Sequence, residues 1–369
     1  MKDSVFEQIM KPITKEMMEA CKKQYNSDYD SESFKTWEHM QTMIYVQIQG
    51  IKSLRTLEVA INSQKLGIKT AVKRSTLSDA NARRSGECFM WVLEQLMMRI
   101  PRAKRKEIKK VVRIIDSSPI KLKGKGYDEW CEEKATAHWQ GIKLHVEYDL
   151  GFKTATKIET SYANYNDCSM GQRWPIVRDT VYVFDKGYYD YNWWWSIHQK
   201  QAYFVTRLKR NVAIKLEKER EVASSSILED GDFRFKNKHP RGGKKNHYSE
   251  PLRRLSVARE GTSPLILVTN LQTLSATEVA DLYKARWEIE LFFKWLKQHL
   301  KIKKFLGKSA NAVKIQLATA LIAYLLVQLY KALTQATSSL QLVLVWVRCN
   351  LAAAHPYSRQ HDSPACIYI

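Results

Sequence analysis

The chain has 369 residues, 44% of them hydrophobic and 11% aromatic, which excludes a disordered protein and predicts two or three folded domains. Its 60 lysine and arginine residues outnumber the 38 aspartate and glutamate residues, and the formal net charge of +22 predicts a polyanionic partner. Nucleic acid is the leading candidate, because counterion release favours cationic side chains on a phosphate backbone. An acidic membrane surface would favour one basic amphipathic segment, whereas here the basic residues are spread through several regions.

Neither the cysteines nor the apolar runs indicate a secreted, zinc-binding or membrane protein. No cysteine lies in a C-x-x-C pair, so all six are predicted to be reduced thiols: Cys21, Cys88, Cys131, Cys168, Cys349 and Cys366. The first 20 residues lack the apolar run of a signal peptide. Residues 317–330 are the most apolar segment but are shorter than the about 20 residues that a bilayer requires, so we predict a buried core helix. The expected location is cytoplasmic and nucleoid-associated, with no membrane partner.

Residues 1–108 are predicted to be mostly helical and to bind DNA. The apolar spacing predicts helices at residues 34–49, 54–67, 75–84 and 89–100. Basic residues cluster near their junctions, at Lys69, Lys73, Arg74, Arg83 and Arg84. Short helices joined by tight turns suit a DNA-binding module, although a helical lid or packing domain would have the same pattern. Residues 102–110 then form a dense basic hinge, either a phosphate contact or a solvated linker.

From residue 109 the pattern changes to strands, and residues 109–206 are predicted to be the first part of an α/β domain. Strands are expected at residues 111–115, 141–149, 152–160, 181–184 and 203–206. Asp116 and Asp185 each follow the end of a buried strand, and either aspartate alone would be weak evidence for a site because aspartate commonly forms turns. The same turn role is predicted for Asp149, Asp167 and Asp190, and His145 is predicted to be exposed on the polar face of its strand.

Three further regions follow. Residues 207–270 are predicted to be a β-rich insertion with cationic loops, residues 271–334 a long helix and a packing helix, and residues 335–369 a tail without a clear pattern. The long helix, residues 275–300, begins at a capping box made by Ser275 and Glu278. No proline or glycine interrupts it, so we predict about seven continuous turns at 3.6 residues per turn.

One face of this helix carries an unusual set of polar side chains. At about 100° per residue, Tyr283, Arg286, Glu290, Lys294 and Lys297 fall on one stripe. A solvated, salt-bridged face would explain the stripe, because Arg286 and Glu290 form an i,i+4 pair. The two strand-end aspartates favour a site instead, because open sheets place their sites at the carboxyl ends of strands. Three carboxylates suit Mg²⁺, and two such ions about 3.5–4 Å apart would catalyse phosphoryl transfer on DNA.

These motifs resemble those of the DDE transposases of bacterial insertion sequences, in the subgroup with a Y-x-x-R-x-x-x-E-x(6)-K signature. That signature stands complete as Tyr283, Arg286, Glu290 and Lys297. Asp116 lies in IIDSS and Asp185 in VFDKGY, both in the style of the family, as is the segment at residues 69–84. The resemblance covers roughly residues 54–333.

The resemblance implies a ribonuclease-H-like catalytic domain with a β-rich insertion, a helical N-terminal DNA-binding region and C-terminal helices. It implies Asp116, Asp185 and Glu290 as ligands of two Mg²⁺ ions, for which Mn²⁺ would substitute. By analogy, Tyr283, Arg286, Lys294, Lys297 and Tyr188 would contact DNA. The implied reaction cleaves the terminal inverted repeats of a transposon and joins the 3′-OH end to target DNA, with a homodimer in the synaptic complex. A catalytically silent DNA-binding regulator and a nuclease of the same fold are the alternatives.

Overall fold

The computed structural model describes residues 3–29, 31–63, 72–99, 111–131, 133–134, 139–222, 224–236, 243–300, 302 and 304–354. Lys69, the predicted basic hinge at residues 102–110, the middle of the cationic loop at residues 237–242 and the tail from residue 355 lie outside the described residues. The helices are α1 (Val5–Met10), α2 (Lys15–Tyr25), α3 (Thr36–Gln49), α4 (Leu54–Ser63), α5 (Arg74–Arg83), α6 (Gly86–Arg99), α7 (Asp167–Arg173), α8 (Tyr191–Gln199), α9 (Ala276–Lys284), α10 (Trp287–His299), α11 (Ala310–Leu333) and α12 (Leu340–Asn350). The strands are β1 (Val111–Lys121), β2 (Glu133–Lys134), β3 (Trp139–Asp149), β4 (Thr154–Tyr162), β5 (Thr180–Phe184), β6 (Tyr203–Arg207), β7 (Ile214–Glu219), β8 (Ile227–Phe235), β9 (Leu252–Val257) and β10 (Leu265–Thr269).

The chain forms two compact units. The first, called here the helical unit, comprises Met1–Ile100, Ile120–Ile142 and Phe293–Ile369, and the second, the sheet unit, comprises Pro101–Pro119 and Lys143–Phe292.

The helical unit is built around α11. This helix is apolar along most of its length, and Ser309 caps it by accepting a hydrogen bond from the backbone N–H of Ala312. By length and composition alone α11 could cross a membrane, but 83% of its most apolar window is buried inside the protein. The prediction of a buried core helix at residues 317–330 is therefore confirmed.

The four helices predicted near the N-terminus correspond to α3, α4, α5 and α6. The turn before α6 is held by Asn311 of α11, whose side-chain amide donates to the carbonyl of Arg84 (2.7 Å) and accepts from the backbone N–H of Gly86 (2.9 Å). Gly86 is the first residue of α6, and its backbone N–H, which has no partner within the helix, donates to Asn311.

The cysteines of the helical unit correct one expectation. Cys21 and Cys88 lie on the packed helices α2 and α6 with their Cα atoms 5.4 Å apart, and the structure joins their sulfur atoms. The prediction of reduced thiols is wrong for this pair, because sequence spacing gives no sign that two cysteines 67 residues apart become neighbours. Cys131, Cys168 and Cys349 are free thiols.

The sheet follows the strand order β2-β3-β1-β5-β6-β10-β9-β8-β7, with β4 paired to β3. Within the sheet unit β1 is parallel to β5 and β5 is parallel to β6, whereas β10, β9, β8 and β7 continue the sheet through antiparallel pairs. An aromatic cluster covers the parallel strands, and its largest members are Phe184, Tyr188, Trp193, Trp194 and Phe204. Trp193 and Trp194 are therefore core residues, as expected for large aromatic side chains beside a sheet.

Two element boundaries differ from the sequence predictions. β1 continues to Lys121, so Asp116 lies within the strand and not at its end. The cause is that β5 leaves the ladder at the Ile115–Phe184 pair while β3 remains beside β1. The long helix predicted at residues 275–300 is likewise two helices, α9 and α10.

The break between α9 and α10 comes from a change in hydrogen-bond spacing. The amide of Ala285 still donates to Asp281, four residues back, but the amides of Arg286, Glu288 and Ile289 donate to carbonyls three residues back. A tighter turn of this kind requires neither proline nor glycine, so the sequence contains no signal for it.

Candidate active site

The first two acids of the site come from adjacent parallel strands. Ile115 of β1 pairs with Phe184 of β5, so the next residues, Asp116 and Asp185, leave the paired segment at the same edge. Asp116 Oδ1 accepts a hydrogen bond from the backbone N–H of Ser117 (2.8 Å). Asp185 Oδ1 accepts from the backbone N–H of Gly187 (2.6 Å), and a Cβ atom at Gly187 would lie 2.8 Å from that oxygen. Glycine at this position therefore allows the close approach of the carboxylate.

The third acid, Glu290, is brought to Asp116 by Arg286. The guanidinium of Arg286 lies 2.6 Å from Glu290 Oε1 through Nη2 and 3.4 Å from Asp116 Oδ2 through Nη1. These ion pairs join α10 to β1 across 170 residues of sequence, and all three residues belong to the sheet unit. Asp116, Arg286 and Glu290 thus form one charged centre.

The electrostatics of this centre are set mainly by burial. The pKa of Asp116 is raised to about 7, mainly by burial; the Ser117 amide and Arg286 oppose the rise, and the negative charges of Asp185 and Glu290 add to it. Arg286 is therefore the cation that allows two carboxylates to approach each other in this protein.

The two tyrosines predicted to contact DNA are both largely buried. Tyr283 is 8% exposed, and the guanidinium carbon of Arg286 lies 5.8 Å from the centre of its ring. Tyr188 is 1% exposed and packs in the aromatic cluster, and its buried hydroxyl has no hydrogen-bond partner within the described part of the chain. Burial raises the pKa of Tyr188 well above its usual range, with a further contribution from Asp116. DNA contact by either residue remains a prediction.

The two predicted lysines lie on α10. Lys294 is exposed and Lys297 is half-buried. Both follow Phe292 and belong to the helical unit, so their phosphate contacts also remain predictions. Trp287, the residue that follows Arg286, is 58% exposed.

The donor chemistry of Asp116, Asp185 and Glu290 fits a divalent metal ion, because hard cations such as Mg²⁺ take carboxylate oxygens. In the present arrangement the described residues contain no group of three or more His, Cys, Asp or Glu side chains close enough to hold a metal. The ion pairs of Arg286 explain this, because its guanidinium lies against two of the three carboxylates.

A fourth acid, Asp167, lies beside the site, whereas the sequence predicted only a turn role for it. Asp167 Oδ1 accepts a hydrogen bond from Ser117 Oγ (2.7 Å) and lies 2.9 Å from Lys143 Nζ. Asp149 accepts a hydrogen bond from the backbone N–H of Phe152, in agreement with its predicted turn role, and Asp190 accepts one from Trp193 as the N-cap of α8. The contacts of Asp167 are instead with the side chains of neighbouring strands. His145, predicted to be exposed, is fully buried beside Asp167, because α7 covers this part of the sheet.

A basic pocket of about 280 Å³, called here the basic hollow, is lined partly by residues that follow Asp185 closely in the sequence. Its lining includes Tyr189, Tyr191, Lys209, Lys244 and Lys245. Lys209 Nζ lies 4.2 Å from the centre of the Tyr189 ring, so cations and aromatic rings are interleaved here. The sequence indicated cationic loops in this region but not their meeting with the tyrosines.

Comparison with known proteins gives two family matches. Residues 107–326 match the model of the transposase DDE domain. Residues 1–68 match a domain of unknown function.

Several curated relatives are similar over much of the chain. A protein of Sinorhizobium fredii named as a transposase, y4zB, is 36% identical over 304 residues, which cover 79% of this chain and 83% of the relative. The transposase named for insertion sequence element IS5377 of Geobacillus stearothermophilus is 30% identical over 226 residues, 59% of this chain and 56% of its own. The one named for element IS4SA of Synechocystis is 28% identical over 270 residues, 69% and 71%.

Among solved structures, the fold is similar to that in the cryo-EM structure of the piggyBac transposase synaptic complex with hairpin DNA. The TM-score is 0.55 at 9% sequence identity, and the match covers 100% of this chain and 85% of the other. At this identity the similarity concerns the fold alone.

Proposed function

The chain belongs to the DDE transposases of bacterial insertion sequences, enzymes that cleave and join DNA, and we propose that Asp116, Asp185 and Glu290 are its three catalytic acids. The observation that carries this proposal is that the guanidinium of Arg286 contacts both Asp116 and Glu290. Arg286 and Asp116 are 170 residues apart in the sequence, and the strand paired with that of Asp116 ends just before Asp185. A salt-bridged helix face would explain Arg286 and Glu290 but not the contact of Arg286 with the half-buried carboxylate of Asp116 on β1.

The family implies the use of divalent metal ions, and we propose two Mg²⁺ ions, replaceable by Mn²⁺, held by the three acids. When bound, such ions would activate a water molecule or a 3′-OH of the DNA as the nucleophile and would stabilise the attacking and leaving oxygens of in-line displacement. The proposed work of the chain is to hold the carboxylates and the DNA. Arg286, moved from the acids to a phosphate, would neutralise charge near the cut end, and Lys294 and Lys297 would hold neighbouring phosphates.

The finer parts of the proposal are the subgroup, the domain architecture and the DNA-binding surfaces. The residues Tyr283, Arg286, Glu290 and Lys297 support the subgroup with the Y-x-x-R-x-x-x-E-x(6)-K signature. The order β4-β3-β1-β5-β6, with β1, β5 and β6 parallel, supports a ribonuclease-H-like domain, and β7 to β10 support a β-rich insertion. We propose that Tyr188 and the basic hollow face the substrate and that residues 1–108 bind the transposon ends.

For the assembly we propose a homodimer on two terminal inverted repeats in the cytoplasm, associated with the nucleoid. The net charge of +22 supports double-stranded DNA as the partner.

A cleavage assay with a matched variant tests the catalytic assignment. Purified protein is incubated with Mg²⁺ and DNA that contains the inverted repeats flanking its gene, and strand cleavage and joining are followed on gels. Glu290→Gln should lower the cleavage rate by more than about a hundredfold, since even indirect support of a metal ligand is worth 10–100-fold. Glu288→Gln is the control, because Glu288 lies on the same helix as Glu290. Within the described residues, its ion pair is with Lys153, at 3.9 Å.

Three outcomes distinguish the candidate functions. Cleaved ends that join to target DNA support the transposase. Ends that are cleaved by wild type but never join would favour a nuclease. Binding without cleavage by wild type would favour a silent regulator and contradict the proposal.

A further inference from the structure

We propose that Asp167 is a positioning residue that orients the catalytic Asp116 through Ser117. The inference rests on the proposed function, since it assigns a supporting role around one of the three acids. Asp167 is not a member of the signature, and it lies 51 residues beyond Asp116 on a different element, the short helix α7.

A continuous chain of contacts connects Asp167 with Asp116. Lys143 Nζ lies 2.9 Å from Asp167 Oδ1, and the same oxygen accepts the hydroxyl of Ser117 at 2.7 Å. The backbone N–H of Ser117 in turn donates to Asp116 Oδ1 at 2.8 Å. Fixing the side chain of Ser117 therefore also fixes the amide that holds the catalytic carboxylate.

The surroundings of Asp167 restrict it to this role. The ion pair with Lys143 neutralises the negative charge of Asp167, so Asp167 adds little electrostatic repulsion to the nearby acids. His145 packs beside it without exposure to solvent, with Nδ1 3.7 Å from Asp167 Oδ1 and Nε2 2.8 Å from Ser161 Oγ. Burial lowers the pKa of His145 to about 4, so the imidazole is neutral at pH 7. It packs against Asp167 without adding a second positive charge.

This arrangement addresses a need specific to Asp116. Asp116 lies inside β1, one residue past the Ile115–Phe184 pair at which β5 leaves the ladder, so within the described residues β5 does not hold the backbone at Asp116. Catalytic side chains must be held within about 0.5 Å of the productive geometry, and supporting hydrogen bonds supply that precision. The Asp167–Ser117 hydrogen bond is such a support.

The test compares Asp167→Ala, Asp167→Asn and Ser117→Ala in the full-length protein. The first measurement is the affinity for Mn²⁺ alone, by electron paramagnetic resonance without DNA. The second is the single-turnover cleavage rate, with the dissociation constant for DNA measured separately. The third is the thermal unfolding midpoint, which reports general loss of structure.

Asp167→Ala and Ser117→Ala should each weaken Mn²⁺ binding and slow cleavage by about 10–100-fold, while the dissociation constant for DNA changes less than about threefold. The double variant should be no worse than either single one, because both remove the same hydrogen bond. Asp167→Asn keeps an acceptor oxygen for Ser117 and should retain activity within about fivefold. Asp149→Ala is the control: Asp149 is buried and accepts a hydrogen bond from the backbone N–H of Phe152, and within the described residues it forms no ion pair or hydrogen bond with the three acids.

Two results would overturn the inference. One is an Asp167→Ala protein whose Mn²⁺ affinity and cleavage match wild type, with only an unfolding midpoint lowered as in Asp149→Ala. The other is an Asp167→Asn protein as impaired as Asp167→Ala. Glu290→Gln, measured in parallel, separates this failure from failure of the catalytic assignment, because unchanged Mn²⁺ binding in that variant would contradict the assignment itself.

Discussion

Arg286 is the residue on which the electrostatics of the site depend. It contacts Asp116 and Glu290 simultaneously and stacks against Tyr283. Arg286 and a divalent ion cannot both bind these two carboxylates without rearrangement. Both need the carboxylate oxygens, and like charges repel. Metal binding should therefore compete with Arg286.

The competition predicts that removing Arg286 tightens metal binding while impairing catalysis. Loss of Arg286 moves the pKa of Asp116 above about 7, so binding is compared at an alkaline pH at which Asp116 is ionised in both proteins. There Arg286→Gln should bind Mn²⁺ about tenfold more tightly in the absence of DNA, because one repelling charge is lost. DNA cleavage by the same variant should fall. Lys153→Gln is the control cation, since Lys153 forms an ion pair with Glu288, at 3.9 Å. Weaker Mn²⁺ binding in Arg286→Gln would mean that Arg286 supports the metal site.

His39 makes the stability of the helical unit dependent on pH. It is fully buried, with Nε2 3.0 Å from Asn81 Oδ1, and burial lowers its pKa to about 3, with a smaller contribution from the charge of Arg84. The unfolded chain binds a proton near pH 6.5, so between that pH and about 3 it holds more protons than the folded protein. Stability from this group is complete above pH 6.5 and is lost as the pH falls.

The expected loss is about 1 kcal/mol per pH unit below 6.5. His39→Gln should be less stable at neutral pH but should show a flatter pH dependence of its free energy of unfolding. Urea unfolding of both proteins at pH 7.5, 6.0 and 5.0 measures the difference. Parallel pH profiles would mean that His39 is not the responsible group.

At the scale of elements, the connection between strands β8 and β9 and the start of α9 depends on a buried ion pair. Arg253 of β9 contacts Asp230 of β8 at 2.6 Å, and the two side chains are 3% and 4% exposed. The same guanidinium donates to the carbonyls of Leu271 and Leu274, just before the cap of α9 at Ser275. The strands and the start of the helix are thus held by one side chain.

Arg253→Met should lower the free energy of unfolding of the sheet unit by about 3–5 kcal/mol, because it leaves the charge of Asp230 buried and unpaired. The pair of Arg234 and Glu217 provides the control on neighbouring strands, with side chains 42% and 32% exposed. Arg234→Met should cost less than about 1 kcal/mol. Equal losses in urea unfolding would show that burial does not distinguish the two pairs.

At the scale of the whole molecule, the excess of positive charge predicts a steep dependence of DNA binding on salt. If the protein neutralises about 6–10 phosphates, its affinity should fall about 10³–10⁵-fold between 50 and 200 mM salt. Fluorescence anisotropy with the Glu290→Gln protein measures binding without cleavage. A shallow dependence would indicate that most of the charge lies away from the DNA. Lys294→Gln and Lys297→Gln should each reduce the slope by about one ion if they contact phosphates.

The sequence alone determined most of the elements and the candidate acids, because these depend on local patterns. The strands β5 and β6 were predicted to within one residue at each end, and α3 and α11 were recognised from apolar spacing. The family followed from side-chain types at fixed spacing around Glu290, and the family matches confirm it. Whether Asp116, Asp185 and Glu290 are the catalytic set remains a prediction.

Only the tertiary structure decided how these residues meet. The change in hydrogen-bond spacing at Arg286 ended one helix and began another, although the residues there all favour helix. The extension of β1 past Asp116 followed from its pairing with β3, and the place of Asp167 beside Ser117 depends on how α7 packs on the sheet. The contact of Ser117 with Asp167 joins residues 50 positions apart, and no local pattern encodes it because packing selects among many partners of similar chemistry.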